Sequence, residues 1–222
     1  MPPKSIPGKT SRPYRSELRR QQAEQTRTRI VAAAAELFAA EGYARTTLAK
    51  IADAAGVSAL TVQGHGPKTA LLIAANEYAA VGVIGEENIL DVEAGRTLLA
   101  VHDREEALDS VATFITGLHE RSAHLTSAVI AGAGSDPELD RYLTGLLASI
   151  NLQIRRVLEV YRDRGWVRSD VPFEELVETA AVLLSVDTFL RITHRDGWSV
   201  AAYRTWIRRM LAETVFHRPL AN

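Results

Sequence analysis

The sequence predicts an all-α fold, and three observations carry the prediction. No segment sustains the apolar–polar alternation of a half-buried strand, whereas apolar residues recur at helical spacing from about residue 22 to the C-terminal region. Glycine and proline punctuate these segments at the positions where helices stop and start. Between Thr46 and Lys68, finally, two short helical patterns are joined by the tight turn Ala55-Gly56-Val57-Ser58. The 222 residues are enough to bury a proper core in one or two domains.

Residues 1–21 are rich in Pro, Ser and Arg without apolar periodicity, and are expected to form a flexible basic arm. A first helix is predicted from about Gln22 to Ala40, burying Ile30, Ala34, Leu37 and Phe38 and ended by Gly42. In the next segment Leu48, Ile51, Ala52 and Ala55 share one face, with Thr47 placed to cap its N-terminus. Gly56 suits a left-handed residue past a helix end, and Ser58 can cap the helix that follows. Helix, glycine turn and capped second helix is the plan of a helix-turn-helix, whose second helix enters the DNA major groove. An αα-hairpin within a helical core has the same spacing, so at this point both readings stand.

A fourth helix is predicted from about Lys68 to Val81, then mostly loop over residues 82–102. Beyond it come a helix from Arg104 to Arg121, a short apolar segment from His124 to Ala131, and a long helix opened by Ser135-Asp136-Pro137-Glu138 and ending near Gly165. One helix from Phe173 to Thr193 and a last one from Val200 to Phe216 complete the chain. The Phe173–Thr193 segment is apolar on more than one face and needs cover on two sides. A second subunit supplies that cover if Val182, Val186, Leu190, Trp206 and Met210 form a homodimer interface; burial inside its own domain is the competing explanation.

Charge divides the chain. Residues 1–68 carry eleven Lys and Arg against five acidic residues, a net +6, and residues 69–222 carry fifteen Arg against twenty-two acidic residues, a net −7. A basic module on an acidic body suits a contact with nucleic acid at one end, because phosphate neutralisation dominates such affinity. Arg45, Lys50 and Lys68 place part of that excess within or beside the helix-turn-helix.

The wider wording is specific. Ile30-Val31-x-Ala33-Ala34-x-x-Leu37-Phe38-x-x-x-Gly42-Tyr43, then Thr46-Thr47-x-x-x-Ile51-Ala52-x-x-Ala55-Gly56-Val57-Ser58-x-x-Thr61-Val62, with Lys68 and Ala70-Leu71-Leu72, resembles the N-terminal domain of the TetR family of bacterial transcriptional regulators. The resemblance implies a DNA-binding domain over residues 22–68, a helical effector-binding and dimerisation domain over 69–222, and a palindromic double-stranded DNA operator. It implies contacts to phosphates or base edges from Thr47, Ser58, Ala59, Leu60, Thr61, Gln63, His65 and Lys68, joined by Arg45 and Lys50. Threonine hydroxyls donate to phosphate, Gln63 suits an adenine edge, and Ala59 and Leu60 suit a thymine methyl. The run Gln63-Gly64-His65-Gly66-Pro67-Lys68 departs from the family: it is one residue short and lacks the usual aromatic residues.

The resemblance further implies a repressor released by a small apolar or amphipathic effector. Phe114, Leu118, Leu146, Ile150, Trp166 and Phe189 are candidates to line its pocket, and core packing accounts for each equally well. No cofactor, metal or catalytic residue is expected. The chain has no cysteine, and His119 and His124 are five apart, about 140° around a helix, where zinc ligands on one face need a spacing of four. No signal peptide or membrane span is expected, since no apolar stretch is long enough, and a cytoplasmic location follows as an expectation. A helical protein–protein adaptor without DNA binding is the alternative function.

Overall fold

Gly42 sets the end of the first helix. In the computed structural model of the protein, which describes residues 12–80 and 93–217, Gly42 sits at φ 76° and ψ 174° and breaks α1 (Arg12–Arg45) before its last turn. The Thr46 hydroxyl, fully buried, donates to the carbonyls of Gly42 (2.9 Å) and Leu37 (3.3 Å), satisfying acceptors that the break leaves free. Helix α2 (Leu48–Ala55) follows, Gly56 adopts the left-handed conformation (φ 63°), and α3 (Ala59–Gln63) leads to α4 (Lys68–Ala80).

After the undescribed residues 81–92 come α5 (Glu93–Leu99), α6 (Arg104–Ala133), α7 (Pro137–Asp163), α8 (Phe173–Leu183), α9 (Val186–Leu190) with a π-helical turn (Arg191–Arg195), and α10 (Val200–Thr214). The fold is all-α; among the described residues, extended pairing amounts to an isolated bridge between Val167 and Phe216. No described helix is long and apolar enough to cross a membrane, and no described group of three His, Asp or Glu residues is placed to hold a metal.

Two apolar cores organise the molecule. The first joins Ile30, Ala34 and Phe38 of α1, Ile51 and Ala52 of α2, Val62 of α3 and Leu71, Leu72 and Ala75 of α4, and it continues into Leu125 and Val129 of α6 and Leu139 of α7. The second gathers Leu108 and Ala112 of α6, Leu158 and Tyr161 of α7, Leu176 and Ala180 of α8, Phe189 of α9 and Tyr203, Ile207 and Leu211 of α10. Thirty residues at 1.5 Å rise make α6 about 45 Å long, and its two halves belong to different cores. It is the beam on which both ends of the protein rest.

Four sequence expectations are corrected. Residues 12–21 are helical, not a flexible arm: Pro13 is tolerated in the first turn, and the following Glu, Leu, Arg, Gln and Ala are strong helix formers. Residues 93–99 within the expected loop form α5, a helix too short to show a period; residues 82–92 lie outside the described residues, as do 1–11, Val81 and the last five residues. The segments Arg104–Arg121 and His124–Ala131 are one helix, because Ser122 is buried and donates to the Leu118 carbonyl (2.9 Å) rather than capping a new start. The single helix expected over Phe173–Thr193 is broken at Leu184-Ser185, where the Ser185 hydroxyl accepts from the Thr188 amide (3.2 Å) and caps α9.

Candidate nucleic-acid interface

The helix-turn-helix is built by local chemistry. The Thr47 hydroxyl accepts from the Lys50 amide at 3.2 Å and starts α2. Gly56 then donates its amide to the Ala52 and Asp53 carbonyls in the left-handed conformation that glycine adopts without a Cβ penalty. The Ser58 hydroxyl accepts from the Thr61 amide at 3.0 Å and lies 2.8 Å from the Thr61 hydroxyl, fixing the start of α3. Val62 alone of α3 is fully buried, anchoring the helix to the first core. Ser58, Ala59, Leu60 and Gln63 face solvent, and Leu60 is 77% exposed.

The remaining candidates divide by what they touch. Thr47 is exposed beside the start of α2. Lys50 Nζ pairs with Glu41 (2.5 Å) and donates to the Arg45 carbonyl (3.2 Å), while Arg45 Nε donates to the Glu41 carbonyl (3.0 Å). Both cations are thus tied to the end of α1, and both remain exposed. Thr61 is half-buried through its bond to Ser58.

The shortened run after Gln63 folds back rather than forward. Gly64 keeps helical angles, and Gly66 takes φ 123°, a conformation that favours glycine. His65 is half-buried in a small cavity that it lines with Arg27, Ile30 and Val31 of α1 and Ala70, Leu71 and Ala74 of α4. Lys68 carries its ammonium 4.2 Å from the centre of the Tyr43 ring, and desolvation there lowers its pKa from the ordinary lysine value. His65 thus lies against α1 and α4, and Lys68 over the Tyr43 ring.

A polar cluster that the sequence did not disclose lies behind this site. The carboxylate of Asp136, the N-cap of α7, accepts from Thr69 Oγ1 (2.6 Å) and from the Tyr43 hydroxyl (3.0 Å), and those two hydroxyls are 2.9 Å apart. The bond from Thr69, with help from Tyr43, holds the Asp136 carboxyl below the usual carboxylate range. The Tyr43 ring also rests on Gly132 of α6, where an added Cβ would come within 3.1 Å of it and within 2.4 Å of Leu139. Two turns further along α4, buried Asn76 donates to the Tyr142 hydroxyl (3.2 Å) and accepts from Thr126 (3.0 Å). Helices α1 and α4 are thus hydrogen-bonded to α6 and α7.

The candidates for a pocket and a dimer face are placed as follows. Phe114 lines an open cleft of about 410 Å³ with Thr97 and Leu98 of α5 and Asp109, Ser110 and Thr113 of α6. Leu118 is half-buried, Leu146 is buried, and Ile150 is 39% exposed on α7. Trp166 packs at a tilt against Tyr161, with ring centres 5.6 Å apart, and Phe189 sits in the second core between His119 and Tyr203. The six do not surround one described cavity. Val182 is 59% exposed on α8, whereas Val186, Leu190, Trp206 and Met210 are half-buried on α9 and α10.

Residues 30–75 match the family model described as bacterial regulatory proteins, tetR family. No curated protein matches the chain. Among solved structures, a protein from Saccharomonospora viridis described as a transcriptional regulator, in complex with choline, superposes with a TM-score of 0.69 at 20% identity over 88% of this chain and 100% of that one. The SmeT–triclosan complex gives 0.68 at 18% identity, covering 89% and 95%. NalD, described as the secondary repressor of the MexAB-OprM multidrug efflux pump in Pseudomonas aeruginosa, gives 0.67 at 15% identity, covering 89% and 100%. The tetR-family match thus covers residues 30–75, and the fold along most of the chain is shared with solved structures described as transcriptional regulators.

Proposed function

We propose that this DNA-binding regulator acts as a homodimeric repressor that leaves a palindromic operator when a small amphipathic effector binds. The tetR-family match over residues 30–75 supports a transcription factor rather than an enzyme. The observation that carries the reading is α3: a capped helix held by one buried residue, Val62, with Ser58, Ala59, Leu60 and Gln63 turned to solvent. A helix so mounted presents its outer face to base edges in a major groove. Thr47, Lys50, Arg45 and Thr61 stand around it for phosphates, and Lys68 and His65 are the candidates that must turn outward to reach DNA.

In this reading residues 22–68 form the DNA-binding domain and residues 69–222 bind the effector and dimerise. The cleft between α5 and α6 has the volume of a small-molecule site and mixes Phe114 and Leu98 with Thr97, Ser110, Thr113 and Asp109, which suits an amphipathic molecule. Two proteins of similar fold were determined in complex with small molecules, choline and triclosan. Dimerisation through the outer faces of α8, α9 and α10 would cover Val182, and a cytoplasmic location goes with a DNA target.

The experiment is recovery of genomic fragments by the purified protein, with footprinting of the recovered DNA. A symmetric footprint with two half-sites about one helical turn, or a multiple of it, apart is the expected result. Failure to retain any fragment at low salt would overturn DNA binding in favour of a helical adaptor, and a single asymmetric half-site would overturn the dimer.

A further inference from the structure

We propose that the N-terminal part of α1, from Arg12 to Arg29, is a second DNA-binding element: a preformed basic helix that docks on the phosphate backbone beside the half-site read by α3. The inference rests on the DNA-binding reading above. Residues 17–25 and 27–29 are exposed, and Thr26 is half-buried. The helix leaves the first core at Ile30, its first fully buried residue. Its direction is fixed at two points. Tyr43, near its C-terminal end, is bonded to Asp136 and packed on Gly132 of the body, while Arg27 lines a cavity with His65 at the end of the recognition segment. The helix therefore runs away from the body, passes the end of α3, and continues for the fifteen residues before Arg27, about 22 Å at 1.5 Å per residue. That length matches about six base pairs at 3.4 Å each.

Charge identifies the occupant. Residues 12–29 hold six Arg against two Glu. Arg19, Arg20 and Arg27 fall, by helical register, on the face that becomes the apolar stripe of Ile30, Ala34, Leu37 and Phe38 a few turns later. Glu17 and Glu24 fall to one side of that stripe. The face that points toward the rest of the DNA-binding helices is thus arginine where it stops being apolar. Arg20 makes one long contact, 4.0 Å to Glu17, with side chains 81% and 61% exposed, so its charge is free for a partner. A helix this short has little stability of its own in water, and a polyanion along its basic face would supply it.

The test uses the full chain and two duplexes cut from a fragment recovered by genomic selection. One is trimmed to the bases protected by the half-sites, and the other carries about 10 more base pairs on each side. Wild-type protein should bind the longer duplex more tightly and with a steeper salt dependence. The double variant Arg19→Ala/Arg20→Ala should bind the trimmed duplex as wild type does, but lose on the order of tenfold on the longer one, with a salt slope smaller by about 2 per chain. Ala23→Pro, which breaks the helix at an exposed position remote from either core, should show the same selective loss. Equal wild-type affinity for both duplexes would overturn the proposal and leave the α3 reading intact, whereas failure to bind either duplex would overturn that reading itself. Full retention of the length effect by Ala23→Pro would overturn the helical docking, and a changed oligomeric state of Arg19→Ala/Arg20→Ala with unchanged DNA affinity would assign the helix to contacts between chains.

Discussion

Leu60 and Val62 stand two positions apart on a helix of five residues and face opposite ways, one 77% exposed and the other fully buried. Their substitutions should separate fold from function. Val62→Ala removes two buried methyl groups and should destabilise the protein by about 2 kcal/mol. Leu60→Ala should leave stability within about 0.5 kcal/mol, as at other surface positions, yet weaken binding to recovered operator fragments. Thermal unfolding and mobility shift on the same two variants check this, and a Leu60→Ala variant with wild-type operator affinity would remove Leu60 from the interface. His119 is informative in a different way. It is buried on α6, and its Nε2 donates to the Leu184 carbonyl (2.9 Å), an acceptor freed by the end of α8. Desolvation lowers its pKa below the ordinary histidine value, with the Leu184 bond a smaller opposing influence. The unfolded chain therefore binds a proton that the folded one refuses, so this contribution is complete above about pH 6.5 and is lost as pH falls below it. His124, whose pKa is also lowered by desolvation and by nearby His194, acts in the same direction. His119→Gln should flatten the fall of the thermal midpoint between about pH 7 and 5 without abolishing it. An unchanged pH profile would show that His119 does not carry the effect.

Among the elements, those specified by neighbours in sequence were legible and those specified by distant packing were not. Thr47, Gly56 and Ser58 announce α2 and α3 because a cap or a left-handed turn needs only residues within three or four positions. The caps also carry stability: Ser58→Ala should cost about 1 kcal/mol, measured by denaturant unfolding, and weaken DNA binding by loosening the start of α3. Undiminished stability would mean that Val62 packing alone holds the helix. By contrast, α6 reads as two segments because its apolar stripe changes sides where it passes from one core to the other, and only the presence of both cores explains an unbroken 30-residue helix. The break at Ser185 inside an apolar run has a local cap as well, but the Leu184 carbonyl at the end of α8 is satisfied by His119, 65 positions away, which no local pattern shows. Over residues 12–21 composition points to disorder, whereas helix propensity after Pro13 favours α1.

At the scale of the whole molecule, the question is how an event in the body reaches α3. The two cores are joined through α6 and α7, which contribute to both, and the Tyr43–Thr69–Asp136 cluster clamps the start of α4 and the end of α1 to the start of α7. Its partners lie 67 and 93 positions apart, which is why no sequence pattern revealed it. A ligand shifts an equilibrium only by its different affinity for two arrangements, so transmission requires a link stiff enough to move the DNA-binding helices when α6 and α7 move. The cluster supplies three polar contacts at one point, and Gly132 permits the close approach of the Tyr43 ring. Tyr43→Phe keeps the ring under Lys68 and removes only the hydroxyl, and Thr69→Val is close to isosteric. Each should lower stability by about 1 kcal/mol with helix content unchanged. In a double-mutant cycle the two should couple by about 0.5 kcal/mol or more, because the two hydroxyls lie 2.9 Å apart and share the Asp136 carboxylate. The double variant should also bind operator more weakly than wild type, since helices no longer clamped must be ordered on the DNA at the expense of binding. Additive stabilities together with wild-type operator affinity would place the transmission elsewhere, with the Asn76–Tyr142–Thr126 contacts the next site to test.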